Sequence, residues 1–331
     1  MWIVFTMSVL PNSFFQQTNY NYIKVLKSII AEYKSTLKSK DTEEHVDLFF
    51  YRPIGFMWAK FFEAIGITPN VVTVISIFLG VGGGILLYPE NFTINIIGIL
   101  LIIGANSYDS ADGQLARMTG QFSKLGRILD GIAGDFWFAA IYLAIIFRCS
   151  GGNNIFHIPT LSVWLLMIAA AASHMYQAAI ADYFRQLHLF ILKNSGKAEF
   201  DTVENLEKQI EEDKNNGKNL FSRFINRLYL TYTKVQWLGN SNLRKLMPLI
   251  ETTPIEPRLR ETFLTKSREL CKWENFLTFN WRSFFLFAAI LVDMPLLYPI
   301  AELTLFNLVV IFLKWQHNCM CQQIVDNCTI K

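Results

Sequence analysis

The stretch INIIGILLIIGANSYDSADGQLARMTGQFSKLGRILDGIAGDFWFAAIYLAIIF (94–147) decides how the whole chain is read. Two apolar runs, Ile94 to Tyr108 and Phe136 to Phe147, bracket a polar centre that carries Asp109, Asp112, Asp130 and Asp135. An ionised carboxylate set against hydrocarbon is costly, so four of them together imply a cation that balances them. A hard divalent metal held by oxygen ligands is the natural partner.

Composition places that stretch in a membrane protein. The chain has 331 residues, of which 52% are hydrophobic, 15% aromatic and only 17% charged, too apolar for an ordinary soluble domain of this length. A net charge of +3 is too small to argue for nucleic acid, which is excluded as a partner. The basic residues sit beside apolar spans, where they orient helices and meet anionic lipid. Cys149, Cys271, Cys319, Cys321 and Cys328 are scattered and imply no disulfide framework. His317, Cys319 and Cys321 lie close together, but their spacing matches no standard zinc pattern.

Six apolar spans are expected: Val71 to Tyr88, Ile94 to Tyr108, Phe136 to Phe147, Leu161 to Ala181, Phe284 to Leu297 and Ile300 to Trp315. Several are short unless polar flanks extend them. The connectors at Pro89-Glu90-Asn91, at Gly151 to Phe156 and at Leu297 to Ala301 lack Lys and Arg. Basic residues mark the N-terminal segment, the loop with Arg117, Lys124 and Arg127, and the stretch after Arg185. The basic connectors belong on the cytoplasmic side, with both termini inside. The fold class is therefore an all-α integral membrane protein, a six-transmembrane-helix bundle with an amphipathic N-terminal helix and a cytoplasmic helical insertion. Residues 1–66 form an N-terminal interfacial segment, with Met1 to Leu10 a short anchor and Tyr20 to Lys40 an amphipathic helix. Residues 67–192 hold spans one to four and the acids, 193–275 the insertion, and 276–331 the last two spans and a tail. The charge run from Glu204 to Lys214 reads as a solvated helix face. Gly82-Gly83-Gly84 reads as a site of close helix packing.

Asp109 and Asp112 are three apart and share a helix face, so they can chelate one ion together. Gly113 and Ala116 leave room on that surface for a flat group such as a nucleotide base, and Arg117, one turn further, is suited to a phosphate. The next helix carries Asp130 and Asp135 toward the same point. A pair of divalent ions, Mg2+ or Mn2+, clamping a diphosphate fits this set, and a neighbouring carboxylate can take the proton of an attacking hydroxyl.

The pattern Asp109-x2-Asp112-Gly113-x2-Ala116-Arg117-x8-Gly126-x3-Asp130 resembles the signature of the CDP-alcohol phosphotransferase family, and Thr68-Pro69-Asn70 before the first span resembles it too. The resemblance implies six transmembrane helices, a homodimer, a divalent-metal site, and displacement of CMP from a CDP-linked donor by an alcohol. The family pattern ends with an acid four residues after Asp130; here that position is Gly134, and Asp135 follows. On a regular helix the fifth residue lies about 140° around rather than about 40°. A π-bulge eased by Gly131 and Gly134 would bring Asp135 back as fourth metal ligand and catalytic base beside Asp130.

On the acceptor side, the resemblance places the alcohol near the polar end of the fourth span. Gln177 and Arg185 there, with Arg282 entering the fifth span, are the expected acceptor-binding residues, Arg185 suiting a phosphorylated polyol. Helix–helix hydrogen bonding is the competing reading for Gln177, and a topology anchor for Arg282. The expected reaction moves a phosphatidyl group from CDP-diacylglycerol to inositol, an inositol phosphate or glycerol 3-phosphate in a bacterial inner membrane or endoplasmic reticulum. The rivals are a CDP-choline or CDP-ethanolamine transferase, a non-catalytic relative and a cation-linked transporter.

Overall fold

The computed structural model describes residues 24, 27–37, 41–151, 156–193, 203–215, 226–227, 230–231, 233–234, 241–250 and 255–329. Every regular element among them is helical. In chain order these are a π turn at Asp47–Tyr51 followed by α1 (Arg52–Ala64), α2 (Pro69–Ile85), α3 (Phe92–Thr119), α4 (Lys124–Cys149), α5 (Thr160–Lys193), α6 (Val203–Asn215), α7 (Ser241–Ile250), α8 (Pro257–Glu274), α9 (Phe279–Leu291), and α10 (Leu297–Ala301), which passes through a π segment at Glu302–Phe306 into α11 (Asn307–Thr329).

Four of these helical stretches are long and apolar enough to cross a bilayer: Phe92–Thr119, Leu129–Cys149, Thr160–Lys193 and Leu297–Asn327. The chain is thus a multi-pass membrane protein. Of the other two expected spans, α2 is apolar but has 17 residues, about 26 Å, and α9 has 13, about 20 Å, against a hydrocarbon core about 30 Å thick. By contrast α3, at 28 residues, and α5, at 34, rise about 42 and 51 Å, so their polar ends run on as helix beyond the apolar windows. The acids of α3 stand on such an extension.

The chain divides into two compact units, Met1–Gly82 with Leu100–Phe138 and Gly83–Ile99 with Ala139–Lys331. In the first, α1 packs on α3 through Ala59, Phe62, Ala111 and Leu115, joined by Val72 of α2. Close approach is made possible by Gly55: a Cβ there would lie 2.8 Å from Ser110 Oγ and 3.2 Å from the Ala111 backbone nitrogen. The opposite face of α1 exposes Met57 and Phe61. The amphipathic helix expected over Tyr20 to Lys40 is helical over 27–35 and turns at Thr36, and its first residues, with Met1 to Leu10, lie outside the described residues. The glycine stretch of α2 does serve packing: Trp137 of α4 lies flat against Gly80, where a Cβ would come within 2.1 Å of the ring.

In the second unit, Gly98 and Gly84 play the same part, a Cβ at Gly98 falling 2.8 Å from the Gly83 carbonyl and one at Gly84 3.0 Å from Ala140. Buried Arg148 donates to the Leu87 carbonyl and Asn95 Oδ1, both at 2.9 Å, and to Asp293 at 2.6 Å, giving Asp293 a structural partner. The main core of this unit joins Phe184, Leu187 and Ile191 of α5 to Leu313 and Met320 of α11, and to two helices of the expected insertion. Leu243, Leu246, Met247 and Ile250 of α7 and Leu259, Phe263 and Leu270 of α8 are buried there, so these two helices share a core with α5 and α11. In the charge run on α6, Glu207, Lys208, Glu211 and Glu212 are exposed, while Asp213 is buried and accepts from Asn226 at 2.7 Å. His317 is stacked on Phe184 in the same core, 3.8 Å between ring centroids, and Cys321 Sγ is 3.6 Å from its Nδ1.

At the end of α8, Glu274 is 1% exposed, and its Oε2 has no partner among the described residues. Burial pushes its carboxyl up to about 7 from an ordinary 4.5, with Arg185 opposing the shift. Between those values the unfolded chain is ionised at this position while the native chain keeps its proton, so stability is greatest below about pH 4.5 and falls as pH rises to about 7. The loss amounts to about 3 kcal/mol and is flat above that. Unfolding of the detergent-solubilised protein at pH 5 and pH 8 is therefore expected to differ by that order, and Glu274→Gln is expected to remove most of the difference; an equal pH effect in the variant would exclude this origin.

Candidate metal and nucleotide site

The site lies within the first unit, where α2 and α4 begin and α3 ends. Pro69 opens α2, its ring suited to the first helical position, where no N–H is required. Asn70 follows, and Thr73, one turn in, donates a short hydrogen bond to Asp112 Oδ2. At the start of α4, Ser123 Oγ caps the helix by accepting from the Gly126 N–H at 2.8 Å and donates to Asn70 Oδ1 at 3.1 Å. This pairing explains the glycine: a Cβ on residue 126 would sit 2.4 Å from Asn70 Oδ1. One hydroxyl and one amide thus tie the openings of α2 and α4 together beside the acids.

Asp109, Asp112 and Asp130 converge, each offering a carboxylate oxygen within 4.8 Å of the others. Asp112 is 3% exposed, Asp109 is half-buried and Asp130 is exposed. Three negative charges at that separation repel one another unless a cation lies among them, and an all-oxygen donor set fits a hard divalent ion. The residues present therefore suit the metal that the acidic pattern implied.

Asp135 is not one of the converging group. Helix α4 is α-helical throughout Lys124–Cys149, without the π insertion expected near Gly131 and Gly134, and Asp135 is exposed. At five residues from Asp130 it is turned about 140° around the regular helix, which is why it does not join its neighbour. The described π turns lie instead at Asp47–Tyr51 and Glu302–Phe306.

Two cavities open on the carboxylates. The larger, about 190 Å³, runs from Asn70 and Thr73 past Asp112, Gly113, Ala116 and Arg117 to Ser123, Gly126 and Asp130. It brings together the expected nucleotide-binding residues Gly113, Ala116 and Arg117. The Arg117 guanidinium overlies Gly113, where a Cβ would lie 3.4 Å from Nη1; its Nε donates to the Thr36 carbonyl, and its buried Nη2 has no partner among the described residues. A buried cationic donor with an open position is suited to an anionic oxygen. The smaller cavity, about 130 Å³, shares Gly113, Arg117 and Asp130 with the first and adds Asp109, Ser110, Asn106, Asp47, Tyr51 and Arg52. None of the contributors at 47–52 was singled out from sequence. They are some sixty positions from the acids, and only the basic-aromatic pair Tyr51-Arg52 at the head of an amphipathic helix hinted at them.

The expected acceptor residues belong to the second unit and have partners there. Arg282, 1% exposed, donates from Nη1 to both oxygens of buried Glu302 at 2.7 and 2.5 Å, from Nη2 to Gln177 Oε1 at 2.9 Å, and from Nε to the Leu277 carbonyl at 2.9 Å. Gln177 Nε2 in turn donates to the Glu302 carbonyl at 2.8 Å, and Tyr298 donates to Glu302 Oε1 at 2.8 Å. This is the helix–helix bonding that competed with acceptor binding for Gln177, and Arg282 is a buried ion-pair partner rather than a topology anchor. Arg185 donates to Asn275 Oδ1 at 3.1 Å beside Glu274, its Nε buried without a partner among the described residues. Glu302, an acid within an apolar span, was the sequence signal for Arg282's partner.

Comparison with known proteins bears on the same stretch. Residues 66–195 match the CDP-alcohol phosphatidyltransferase family. An archaetidylinositol phosphate synthase of Pyrococcus horikoshii is 39% identical over 71 residues, covering 22% of this chain and 36% of that protein, so the chain spans about a third of the relative's length. No solved structure matches the chain. The carboxylates, the Asn70–Ser123 tie and the larger cavity all fall inside the stretch, residues 66–195, that matches the CDP-alcohol phosphatidyltransferase family.

Proposed function

We propose that the protein is a membrane phosphotransferase that moves a phosphatidyl group from CDP-diacylglycerol to a hydroxyl of a small polyol, releasing CMP. The observation that carries this reading is the convergence of Asp109, Asp112 and Asp130 beside a cavity lined by Gly113, Ala116 and Arg117, whose Nη2 has no partner among the described residues. The polyol is supported by the name of the Pyrococcus relative, which carries inositol phosphate. Basic residues around the acids in the sequence support a cytoplasmic face for the site.

Asp109, Asp112 and Asp130 would hold Mg2+ or Mn2+, two ions in this reading. Bound by these acids, such ions would supply positive charge to offset the diphosphate and the charge left on CMP. The chain's own groups do the rest. Gly113 and Ala116 let the cytosine and ribose lie against α3, and Arg117 Nη2 donates to a diphosphate oxygen. Thr73 fixes the rotamer of Asp112 through its hydrogen bond. The acceptor oxygen forms a bond to the lipid-bearing phosphorus, the bond from that phosphorus to the CMP oxygen breaks, and the acceptor proton passes to Asp130, the one exposed acid of the three. Asp135 has no part in this scheme because the regular helix turns it aside.

Membranes containing the protein, given CDP-diacylglycerol, magnesium and a polyol, are expected to release CMP, and a chelator is expected to abolish the release. CMP from CDP-choline but not CDP-diacylglycerol would replace the donor. Nucleotide binding without CMP release would instead identify a non-catalytic relative whose defect lies at Gly134. Independently of turnover, Mn2+ titration followed by electron paramagnetic resonance is expected to give two ions in the unaltered protein. Asp109→Asn, Asp112→Asn and Asp130→Asn should each lose binding, Thr73→Val should weaken it about tenfold, and Asp135→Asn should leave it unchanged. Loss in Asp135→Asn equal to that in Asp130→Asn would restore Asp135 as a ligand.

A further inference from the structure

The guanidinium of Arg117 is held from outside the stretch that matches the family. Its Nε donates to the carbonyl of Thr36, 81 positions earlier, whereas the matched residues begin at 66. Thr36 is buried and ends the helix over 27–35. Its N–H and its Oγ1 both donate to the Tyr33 carbonyl, at 3.0 and 2.6 Å. The Leu37 N–H, in the same peptide unit as the Thr36 carbonyl, donates to the Lys34 carbonyl at 3.4 Å. The carbonyl that Arg117 meets is thus part of a hydrogen-bonded turn. That turn is in turn fastened to the rest of the first unit. The Tyr33 ring stands edge-on to Phe56 of α1 with centroids 5.5 Å apart, Tyr33 Oη donates to the Leu48 carbonyl at 3.4 Å, and Glu32 accepts from Lys60 of α1 at 2.6 Å. Helix α1 is fixed to α3 by Gln114, whose Nε2 donates to the Arg52 carbonyl at 3.0 Å.

We infer that residues 27–37 are a strap that sets the arginine of the nucleotide site, with Thr36 as the positioning residue acting through Arg117. The inference rests on the reading above, in which Arg117 meets the diphosphate of the donor. A guanidinium is planar, so fixing Nε fixes where both Nη atoms point, and Nη2 is the buried donor left without a partner among the described residues. Asp112 and Asp130 line the same cavity as Arg117, and an untethered guanidinium would be drawn onto them. The like charge of Arg52, which lines the smaller cavity with Arg117, adds a push. A backbone carbonyl restrains the group against both without neutralising it: it carries no net charge, so the whole positive charge stays available to an anionic ligand. A long side chain that is already held also has less rotamer freedom to lose when the ligand arrives. The strap therefore tightens nucleotide binding without touching the nucleotide.

The test is calorimetric titration of the full-length, detergent-solubilised protein with CDP in the presence of Mn2+, arranged as a double-mutant cycle. Tyr33→Ala, which removes the ring and hydroxyl that fasten the strap, is expected to weaken CDP binding about tenfold, and Tyr33→Phe, which keeps the ring on Phe56, to weaken it less than about threefold. In an Arg117→Ala background, Tyr33→Ala is expected to cost less than about twofold further, because the group it acts through is gone. A merely structural role would leave the tenfold loss in place in both backgrounds, and that additive result overturns the inference. Thr36→Gly loosens the turn itself with little change of volume and is expected to weaken binding about threefold, again only while Arg117 is present. It carries the cycle should Tyr33→Ala lower the unfolding temperature enough to prevent titration. Unchanged CDP affinity in Thr36→Gly and in Tyr33→Ala also overturns the inference, and leaves the nucleotide site standing. Absence of CDP binding by the unaltered protein, by contrast, sinks the reading of the site and this inference with it.

Discussion

Three carboxylates within 4.8 Å of one another, one of them almost wholly buried, form the constraint around which the first unit is arranged. Mutual repulsion would drive such groups apart in a flexible chain. Here each is held by a different means: Asp109 and Asp112 by one face of a helix that continues past its apolar stretch, Asp112 further by Thr73, and Asp130 by a helix whose start is tied to Asn70. One small residue of the motif follows from the same crowding. Gly126 makes space for Asn70, whereas at Gly113 a Cβ would meet the Arg117 guanidinium only at ordinary contact distance.

Much of this was legible in the sequence because it is local. A three-residue spacing on a helix puts Asp109 and Asp112 side by side whatever else the chain does, and the next helix returns Asp130 to the same end. The displaced acid was also legible as a departure from the family pattern, and it stands on a regular helix without the expected π-bulge. Length was less legible: hydropathy marked six apolar runs, but hydrogen bonding sets where helices stop, and α2 and α9 end short of a full span. The walls of the smaller cavity escaped notice because Arg52 and Ser110 are 58 positions apart, and nothing local in the sequence records a contact of that range. The burial of α7 could have been read, since Leu243, Leu246, Met247 and Ile250 follow the three-and-four spacing of a helix that hides one face. Polar neighbours masked that stripe.

The second unit shows a different use of charge. Arg282 and Glu302 lie at 1% and 0% exposure among apolar helices, with Gln177 and Tyr298 completing their bonds. A pair so placed gains little net energy over hydrophobic packing, because both ions lose their water, but removing either partner strands the other. The pair therefore acts as a register pin between α5, α9 and the π segment that follows α10, allowing one alignment of those helices and penalising neighbouring ones.

Trp137 lying on Gly80 has a consequence for how this chain can change over time. The indole occupies the volume that any side chain at position 80 would need, and the ring is 2% exposed, with little space to retreat into. Neither position can vary alone in the direction of greater bulk: a larger residue at 80 is viable only in a chain that has first lost the ring at 137. A chain that loses the ring first opens a void between α2 and α4. Drift at this crossing is therefore gated, with the order of substitutions mattering as much as their identity.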